Sequence, residues 1–133
     1  MLRIPKTLYD EVIAHCQREY PKEACGIFAG AREIVAQVYP MVNVEASPIG
    51  YAMDPKEQLR VMKRLREQQQ EWLAVYHSHT ASPAYPSPVD VSYSVSPDLS
   101  YVLVSLKDRA RPEIKSYRIR DGEITPEDLQ LGA

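Results

Sequence analysis

Apolar residues recur at intervals of three and four positions near the N-terminus: Leu8, Val12, Ile13, Cys16 and Tyr20. This spacing puts them on one face of a helix and predicts an amphipathic helix over about Lys6–Glu19. Pro21 follows directly and would end it, because proline does not fit a helix interior.

Two further helices are indicated by their N-terminal residues. Asp54 is a suitable N-cap, Pro55 suits the first helical position, and Glu57 predicts a capping box. That helix should run to about Gln70. Its apolar face is predicted from three residues: Leu59, Met62 and Leu65. The segment Ser87–Asp90 has a capping serine, then proline and an acid, and predicts another helix start.

Short apolar runs between these helices predict strands. They are "ACGIFAG" (24–30), "EIVAQVYPMVNV" (33–44), "WLAVYHSH" (72–79), "LSYVLVSL" (99–106), "EIKSYRIR" (113–120) and "EITPEDL" (123–129). Pro40 indicates an edge or a break within the second run, which predicts one or two strands. Asp121–Gly122 is a hairpin turn signal. We therefore expect a mixed α/β (α+β) fold with helices packed on a mostly antiparallel sheet.

Composition limits the class of protein. The chain has 133 residues, 44% of them hydrophobic and 26% charged, with a net charge of −2. This predicts one globular domain spanning residues 1–133 and gives no basic stripe for nucleic acid. The N-terminus lacks an apolar signal region, and no run approaches the ~18 apolar residues of a membrane span. Cys16 and Cys25 are expected to be free thiols of a cytoplasmic protein.

Candidate chemistry concentrates in "YHSHTASPAYPSPVD", Tyr76–Asp90. His77 and His79 are two residues apart on a predicted strand, so both imidazoles would point to the same face. Two neutral imidazoles suit Zn²⁺ or a similar metal. The pair alone is also compatible with ordinary hydrogen-bonded or exposed histidines.

Asp90 can complete such a site. A helix that starts at Ser87 just after a short loop could swing the Asp90 carboxylate back toward the histidines. The capped-helix interpretation and the metal interpretation are then compatible. Three protein ligands plus an open position are typical of a catalytic zinc. His15, on the first helix, is expected to be a surface or hydrogen-bonded histidine.

Zinc hydrolysis also needs a general base, and Glu23 is well placed for it. It precedes the apolar run that begins at Ala24, so its carboxylate could lie at the mouth of a strand. The alternative is a surface acid paired with Lys22. Spacing by itself does not distinguish the two.

The combined pattern resembles the signature of the JAMM (MPN-plus) metalloproteases. That signature has an upstream Glu, then H-[ST]-H, seven residues and S-x-x-D. It corresponds here to Glu23 in "EACG", His77–His79, and Ser87–Asp90. The order of predicted elements is similar over nearly the whole chain. The resemblance implies a cytidine-deaminase-like MPN domain.

The resemblance also implies a role for each matching residue. His77, His79 and Asp90 would bind one catalytic Zn²⁺. Glu23 would hold and deprotonate the water that fills the fourth position, and Ser87 would hydrogen-bond the oxyanion.

Members of this family cleave the peptide or isopeptide bond after the C-terminal Gly-Gly of a ubiquitin-like protein. The short length resembles prokaryotic members that act on sulfur-carrier proteins. We expect the substrate tail to lie near the loop Thr80–Pro86 and the segment 33–44. An inactive MPN-type scaffold for protein–protein contacts is the alternative. The sequence leaves open whether the enzyme acts alone or as a homodimer.

Overall fold

The computed structural model describes residues 1–132. These residues form eight strands and three helices. In chain order they are β1 (Leu2–Pro5), α1 (Lys6–Glu19), β2 (Cys25–Ala31), β3 (Ile34–Met41), α2 (Pro55–Glu67), β4 (Glu71–His79), α3 (Pro88–Ser92), β5 (Ser100–Ser105), β6 (Glu113–Arg120), β7 (Glu123–Glu127) and β8 (Leu129–Gly132). All the strands belong to one sheet, in the order β7-β6-β5-β4-β2-β3-β1-β8.

The predicted mixed, mostly antiparallel sheet is confirmed. The pairs β2–β3, β2–β4, β5–β6 and β6–β7 are antiparallel. The pairs β1–β3, β1–β8 and β4–β5 are parallel. The hairpin turn at Asp121–Gly122 joins β6 to β7, with φ of 51° and 79° at the two residues. Strand β3 continues through Pro40 as a single strand.

The first helix has the predicted bounds, and Val12 and Cys16 on its apolar face are fully buried. The start of α2 differs from prediction in one respect. The Asp54 side chain accepts from the Lys56 N–H at 3.0 Å, as an N-cap should. The predicted capping box is wrong, however, because the Glu57 carboxylate accepts from the Val42 N–H instead.

The apolar face of α2 differs from the prediction at one of its three residues. The helix ends at Glu67, and its buried residues are Val61 and Leu65. Leu59 was expected on this face but is 69% exposed. Val61 and Leu65 are four positions apart, one helical turn, and the predicted Met62 packs partly buried against the same cluster. These three residues form the apolar stripe of the helix. Leu59 lies outside that stripe.

Two strands were not predicted, β1 and β8, and they determine how the sheet closes. Strands β7 and β8 lie at opposite ends of the strand order, yet a single residue, Asp128, separates them in the chain. One residue spans only about 3.5 Å. The sheet must therefore curl until its two end strands meet at this residue. The Leu2 N–H donates to the Asp128 carbonyl at 2.9 Å at the junction.

The central strands β2 and β4 separate two packed layers. On one face, α1 covers a cluster that includes Phe28, Tyr76 and Val102. On the other face, α2 covers a cluster that includes Ile27 and Leu65. Successive residues of β4 point alternately to these two faces. His77 and His79 therefore lie on the α2 side.

Gly26, in the strand next to β4, lies directly beneath the Tyr76 ring. A Cβ atom added at Gly26 would collide with the atoms of that ring. Glycine is therefore required here by close approach rather than by an unusual backbone angle. No helix within residues 1–132 is long and apolar enough to cross a membrane.

Candidate metal centre and active site

The two histidines of "HSH" end strand β4, in the middle of the sheet. His77 pairs with Cys25 on β2 and with Leu103 on β5. Both imidazoles are buried, at 3% and 4% exposure. Their Nε2 atoms are 3.2 Å apart. The structure thus directs the two rings to one point, as the alternation of side chains along a strand predicts.

Asp90 joins them from the first turn of α3. Its Oδ2 is 2.9 Å from His79 Nε2, and its Oδ1 is 3.2 Å from His77 Nε2. One ligand atom from each of the three residues lies within 4.8 Å of the others. The structure therefore brings together the three predicted metal ligands.

A capping box directs the Asp90 carboxylate toward the histidines. Ser87 Oγ accepts from the Asp90 N–H at 3.1 Å, and Asp90 Oδ2 accepts from the Ser87 N–H at 2.8 Å. The helix cap and the approach to the histidines use the same carboxylate. The predicted compatibility of the two interpretations is therefore what the structure shows.

The loop between β4 and α3 is anchored at several points. Ser105 Oγ donates to the Ser82 carbonyl at 2.7 Å, and Tyr117 OH donates to the Ala84 carbonyl at 2.6 Å. These anchors come from β5 and β6, which are distant in sequence. The position of α3, and with it Asp90, therefore depends on the neighbouring strands.

Each ring nitrogen has an identifiable environment. His79 Nδ1 is 2.9 Å from the Pro83 carbonyl, which can only accept, so Nδ1 carries the proton. In the neutral ring, Nε2 then presents a lone pair to the Asp90 oxygen. The His77 ring is stacked on Tyr51, with centroids 4.6 Å apart and an interplanar angle of 26°. Tyr51 thus limits the orientation of His77.

The acid–base properties reflect this mutual contact. Burial raises the pKa of Asp90, but the hydrogen bonds from His77 and His79 outweigh it and hold that pKa well below its usual range. Burial lowers the pKa of His77. For His79, burial is outweighed by the hydrogen bond to Asp90, and its pKa is raised.

The donor set fits a divalent metal ion. Two imidazole nitrogens face carboxylate oxygens at hydrogen-bonding distance. In the neutral rings with Nδ1 protonated, a cation between them would satisfy all three groups at once. Two nitrogens and one oxygen are a ligand set that Zn²⁺ accepts. Because only three protein groups converge among residues 1–132, a fourth position would be open to water or substrate.

Glu23 lies just before β2, and its side chain is only 5% exposed. This exposure contradicts the alternative of a surface acid paired with Lys22. Its Oε1 has no hydrogen-bond partner within the described residues. Burial raises the pKa of Glu23 to about 7, the charge of His79 opposes that rise, and Asp90 adds to it. The carboxyl group therefore lies within electrostatic range of the His–Asp cluster.

Ser87 lies beside this cluster through the capping box. Its hydroxyl oxygen accepts from the Asp90 N–H, so the hydroxyl proton is not used in that bond. Ser78, between the two histidines, points to the opposite face. Its Oγ accepts from the Ala24 N–H at 2.8 Å, and its own N–H donates to the Ala24 carbonyl at 3.0 Å. Ser78 thereby fixes the residue that follows Glu23.

A cleft of about 550 Å³ opens at Asp90. Its walls come from three groups of residues: Glu45, Ser47, Ile49, Gly50, Tyr51, Ala52 and Met53 of one loop, Gln58, Trp72, Val75 and Tyr101 of the body, and Val89, Asp90, Tyr93 and Val95 around α3. The expected neighbours of the substrate, the loop Thr80–Pro86 and the segment 33–44, do not line it. The loop after β3 takes their place.

Sequence reasoning did not single out Tyr51 or Asn43, both of which lie next to the site. Tyr51 stacks on His77, and Asn43 donates to the Glu23 carbonyl at 2.9 Å. Both belong to an irregular segment without periodicity, and their partners lie more than nineteen positions away in sequence. No local signal distinguishes such residues from ordinary turn residues.

Comparison with known proteins places these features in context. The model of the family described as prokaryotic homologs of the JAB domain matches residues 5–120. The chain is 41% identical over 133 residues to the CysO-cysteine peptidase of Mycobacterium tuberculosis, covering 98% of this chain and 91% of that protein. It is 45% identical over 92 residues to a probable TtuB-protein conjugate cleaving protease of Thermus thermophilus, covering 68% and 62%.

Solved structures show the same fold. The solution structure of protein DSY2949 from Desulfitobacterium hafniense matches with a TM-score of 0.90 and 36% identity, covering 98% of this chain and 92% of that one. The crystal structure of AF2198, a JAB1/MPN domain protein from Archaeoglobus fulgidus, matches with a TM-score of 0.65 and 16% identity, covering 99% and 100%. At that identity the second match speaks for the fold alone.

Proposed function

Because the chain belongs to the family of prokaryotic homologs of the JAB domain, we propose that it is a zinc-dependent peptidase acting on a ubiquitin-like or sulfur-carrier protein. The bond cleaved is the peptide or isopeptide bond after the carrier's C-terminal Gly-Gly. The observation that carries the proposal is the convergence of His77, His79 and Asp90 within electrostatic range of the buried Glu23 carboxyl group, whose Oε1 has no partner among residues 1–132. The named peptidase relative, similar over nearly the whole chain, supports it.

The metal ligands in this proposal are His77 Nε2, His79 Nε2 and a carboxylate oxygen of Asp90. The Pro83 carbonyl supports this set, because it keeps the His79 proton on Nδ1 and leaves Nε2 free. Such a hydrogen bond to the outer ring nitrogen also orients a ligating histidine. Bound zinc supplies a Lewis acid that polarises the scissile carbonyl and lowers the pKa of water.

Glu23 is the proposed general base. A base works best when its pKa is near the working pH, and burial raises the pKa of Glu23 to about 7. Its Oε1 is free to accept a proton from the attacking water. The same carboxyl group then gives that proton to the leaving amine, which completes the peptide cleavage.

Ser87 is the proposed donor to the oxyanion. Its oxygen is held by the Asp90 N–H, which orients the hydroxyl next to the metal ligands. The hydroxyl proton stays available for the negative charge that develops on the carbonyl oxygen. A pre-oriented donor of this kind stabilises a transition state without reorganising during the reaction.

The cleft is the proposed binding site for the C-terminal tail of the carrier. It reaches Asp90, and its walls are largely apolar, including Tyr51, Val89 and Tyr93. An extended tail ending in two glycines can approach the metal closely because glycine has no side chain. The printed names of the relatives, a CysO-cysteine peptidase and a TtuB-conjugate protease, support a carrier of this class.

The proposal takes residues 1–133 as one catalytic domain that works in the cytoplasm without a nucleic-acid partner. The free, buried Cys16 and Cys25 support a reducing compartment. Whether the enzyme functions as a monomer or a homodimer can be determined by light scattering.

The decisive experiment uses a carrier protein with an amino acid or peptide fused after its C-terminal Gly-Gly. Protein loaded with one zinc should release the group after the second glycine, detected by mass spectrometry of the intact carrier. A matched fusion ending in Ala-Ala should remain uncleaved. Verified metal removal should abolish cleavage, and zinc should restore it. An intact Gly-Gly fusion in the presence of correctly loaded protein would instead favour the scaffold alternative.

A further inference from the structure

Asn43 is a buried residue that the proposed mechanism does not yet use. It lies just after β3, is 8% exposed, and its amide makes four hydrogen bonds. Nδ2 donates to the carbonyls of Glu23 and Gly50 at 2.9 and 3.0 Å, and Oδ1 accepts from the N–H groups of Glu45 and Ala52 at 3.1 Å each. Both amide protons and both oxygen lone pairs are therefore used.

Three of these bonds clasp the loop that forms one wall of the cleft. Through Asn43 they join the start of the segment 44–52, at Glu45, to its end, at Gly50 and Ala52. The Val44 N–H also donates to the Ala52 carbonyl at 2.9 Å, and Asn43 forms an isolated bridge with Met53. The loop is thus closed around a single side chain rather than by a regular ladder.

The fourth bond reaches Glu23. The Glu23 carbonyl accepts from Asn43, and the Glu23 N–H donates to the Ser47 carbonyl at 2.8 Å. The backbone carbonyl of Glu23 therefore bonds to Asn43, and its backbone N–H bonds to the loop that Asn43 closes. Glu23 lies between α1 and β2, outside any helix or strand. These contacts, rather than secondary structure, orient its backbone and hence its carboxyl group.

We propose that Asn43 is the positioning residue for Glu23, and that its amide couples the placement of the Glu23 carboxyl group to the loop Glu45–Met53 that lines the cleft. The inference rests on the proposed function, in which Glu23 is the base and the cleft binds the carrier's tail. A substrate that binds against this loop and shifts it would change the position of the Glu23 carboxyl group through Asn43. A misplacement of about 1 Å can cost about 10²-fold in rate, so the coupling is large enough to measure.

The variants are Asn43→Asp and Asn43→Ala, compared with wild type as zinc-loaded full-length protein. Asn43→Asp keeps the acceptor for the loop and removes both N–H donors. Asn43→Ala removes the whole amide without adding charge. Each should lower kcat about 10²-fold and retain about one zinc per chain. KM should change less than about threefold in Asn43→Asp, which keeps the acceptor bonds to the loop.

A double-mutant cycle with Glu23→Gln separates positioning from general damage. Because Asn43 acts through Glu23, adding Asn43→Asp to Glu23→Gln should lower kcat no further. Ser116→Ala is the matched control, since it removes a partly buried hydrogen bond to Glu127 away from the cleft. It should lower the melting temperature and leave kcat unchanged. Additive losses in the cycle, or an equal kcat loss in the control, would overturn the proposal.

Hydrogen exchange measured by NMR on the unmutated protein tests the same coupling without activity. The Glu45 and Ala52 amides donate to Asn43, and the Glu23 amide donates to Ser47 of the same loop. In wild type these three amides should open with one common free energy, because the loop and its clasp open together. In Asn43→Ala, which removes the acceptor as well as both donors, they should lose protection together, while Ser78 on β4 keeps its protection. Independent opening of Glu23 and Ala52 in wild type refutes the coupling, even if neither variant folds. Inactive wild type with common opening would refute the proposed function alone.

Discussion

Strand β4 presents two contrasting polar environments on its two faces. On the α1 face, Tyr76 OH is 2.7 Å from His15 Nδ1, and Ser78 Oγ accepts from the Ala24 N–H. On the cleft face, the Nε2 atoms of His77 and His79 converge on the Asp90 carboxylate. Polar groups satisfied by one another stabilise a core, whereas groups that converge without complete partners are suited to bind something else.

The difference also explains why neighbouring residues in one strand have different expected functions. His15, predicted as a surface or hydrogen-bonded histidine, is the hydrogen-bonded one, and burial lowers its pKa. It is 5% exposed and makes an edge contact with the Tyr76 ring. Mutations on the cleft face of β4 should therefore change zinc content and turnover. Mutations on the α1 face should change stability.

The largest expected effect comes from a metal ligand. His77→Ala should reduce zinc well below one per chain and abolish detectable cleavage, because two remaining ligands hold a catalytic zinc poorly. Zinc content is measured by mass spectrometry after dialysis, and turnover with the Gly-Gly fusion. The opposite-face control is His15→Gln, which should retain full zinc. Unchanged zinc in His77→Ala would remove this residue from the ligand set.

Glu23→Gln should lower kcat by about 10²–10⁴-fold while keeping the zinc, because general base catalysis contributes a factor of that size. The wild-type kcat should rise with pH and level off above about pH 7, since the base must be ionised and burial raises its pKa to about 7. Steady-state kinetics from pH 5 to 9 measure both. A variant that turns over at the wild-type rate would show that Glu23 is not the base.

Ser87→Ala should lower kcat by about 10²–10³-fold, the usual cost of one lost oxyanion donor. KM should change little, because the contact forms in the transition state. The matched control is Ser87→Thr, which keeps both the hydroxyl and the helix cap and should retain most activity. If Ala and Thr are equally impaired, the hydroxyl is not the donor.

Glu23 should also influence stability in the metal-free protein. Its folded pKa of about 7 lies above the unfolded value of 4.5, so the folded state holds the proton more strongly. The resulting stabilisation is complete below about pH 4.5 and is lost as the pH rises through 7. Glu23→Gln lacks this loss and should gain about 3 kcal/mol relative to wild type between pH 4.5 and pH 8. Urea unfolding at both pH values measures the difference; an equal difference at both would contradict the raised pKa.

The smallest effect belongs to the α1 face. Tyr76→Phe removes the hydroxyl bonded to His15 and should cost about 1 to 2 kcal/mol of unfolding free energy, because a buried ring nitrogen loses its partner. Zinc content and kcat should stay within twofold of wild type. The paired variant His15→Leu with Tyr76→Phe should recover part of the loss. A large fall in kcat for Tyr76→Phe would show that the two faces are not separate.

Much of the fold was predictable because its signals are local. The helix α1 has the predicted bounds, and the turn at Asp121–Gly122 forms as predicted. Strands β1 and β8 were not predicted, since each is short and is stabilised by a partner at the other end of the chain. The side chain of Glu57 likewise contacts Val42 rather than its own helix cap. Long-range competition of this kind leaves no local pattern.

The sequence by itself determined the chemistry and the spacing of the candidate site. Alternation along a strand directs His77 and His79 to one face, and the cap sequence Ser87–Asp90 starts a helix. Only the tertiary structure brought Glu23 to that face, raised its pKa by burial, and clasped it to the cleft loop through Asn43. The physical reason is the sequence distance over which each effect acts. Side-chain direction along a strand or helix repeats every two to four residues, whereas burial and the contacts of an irregular loop depend on the whole fold.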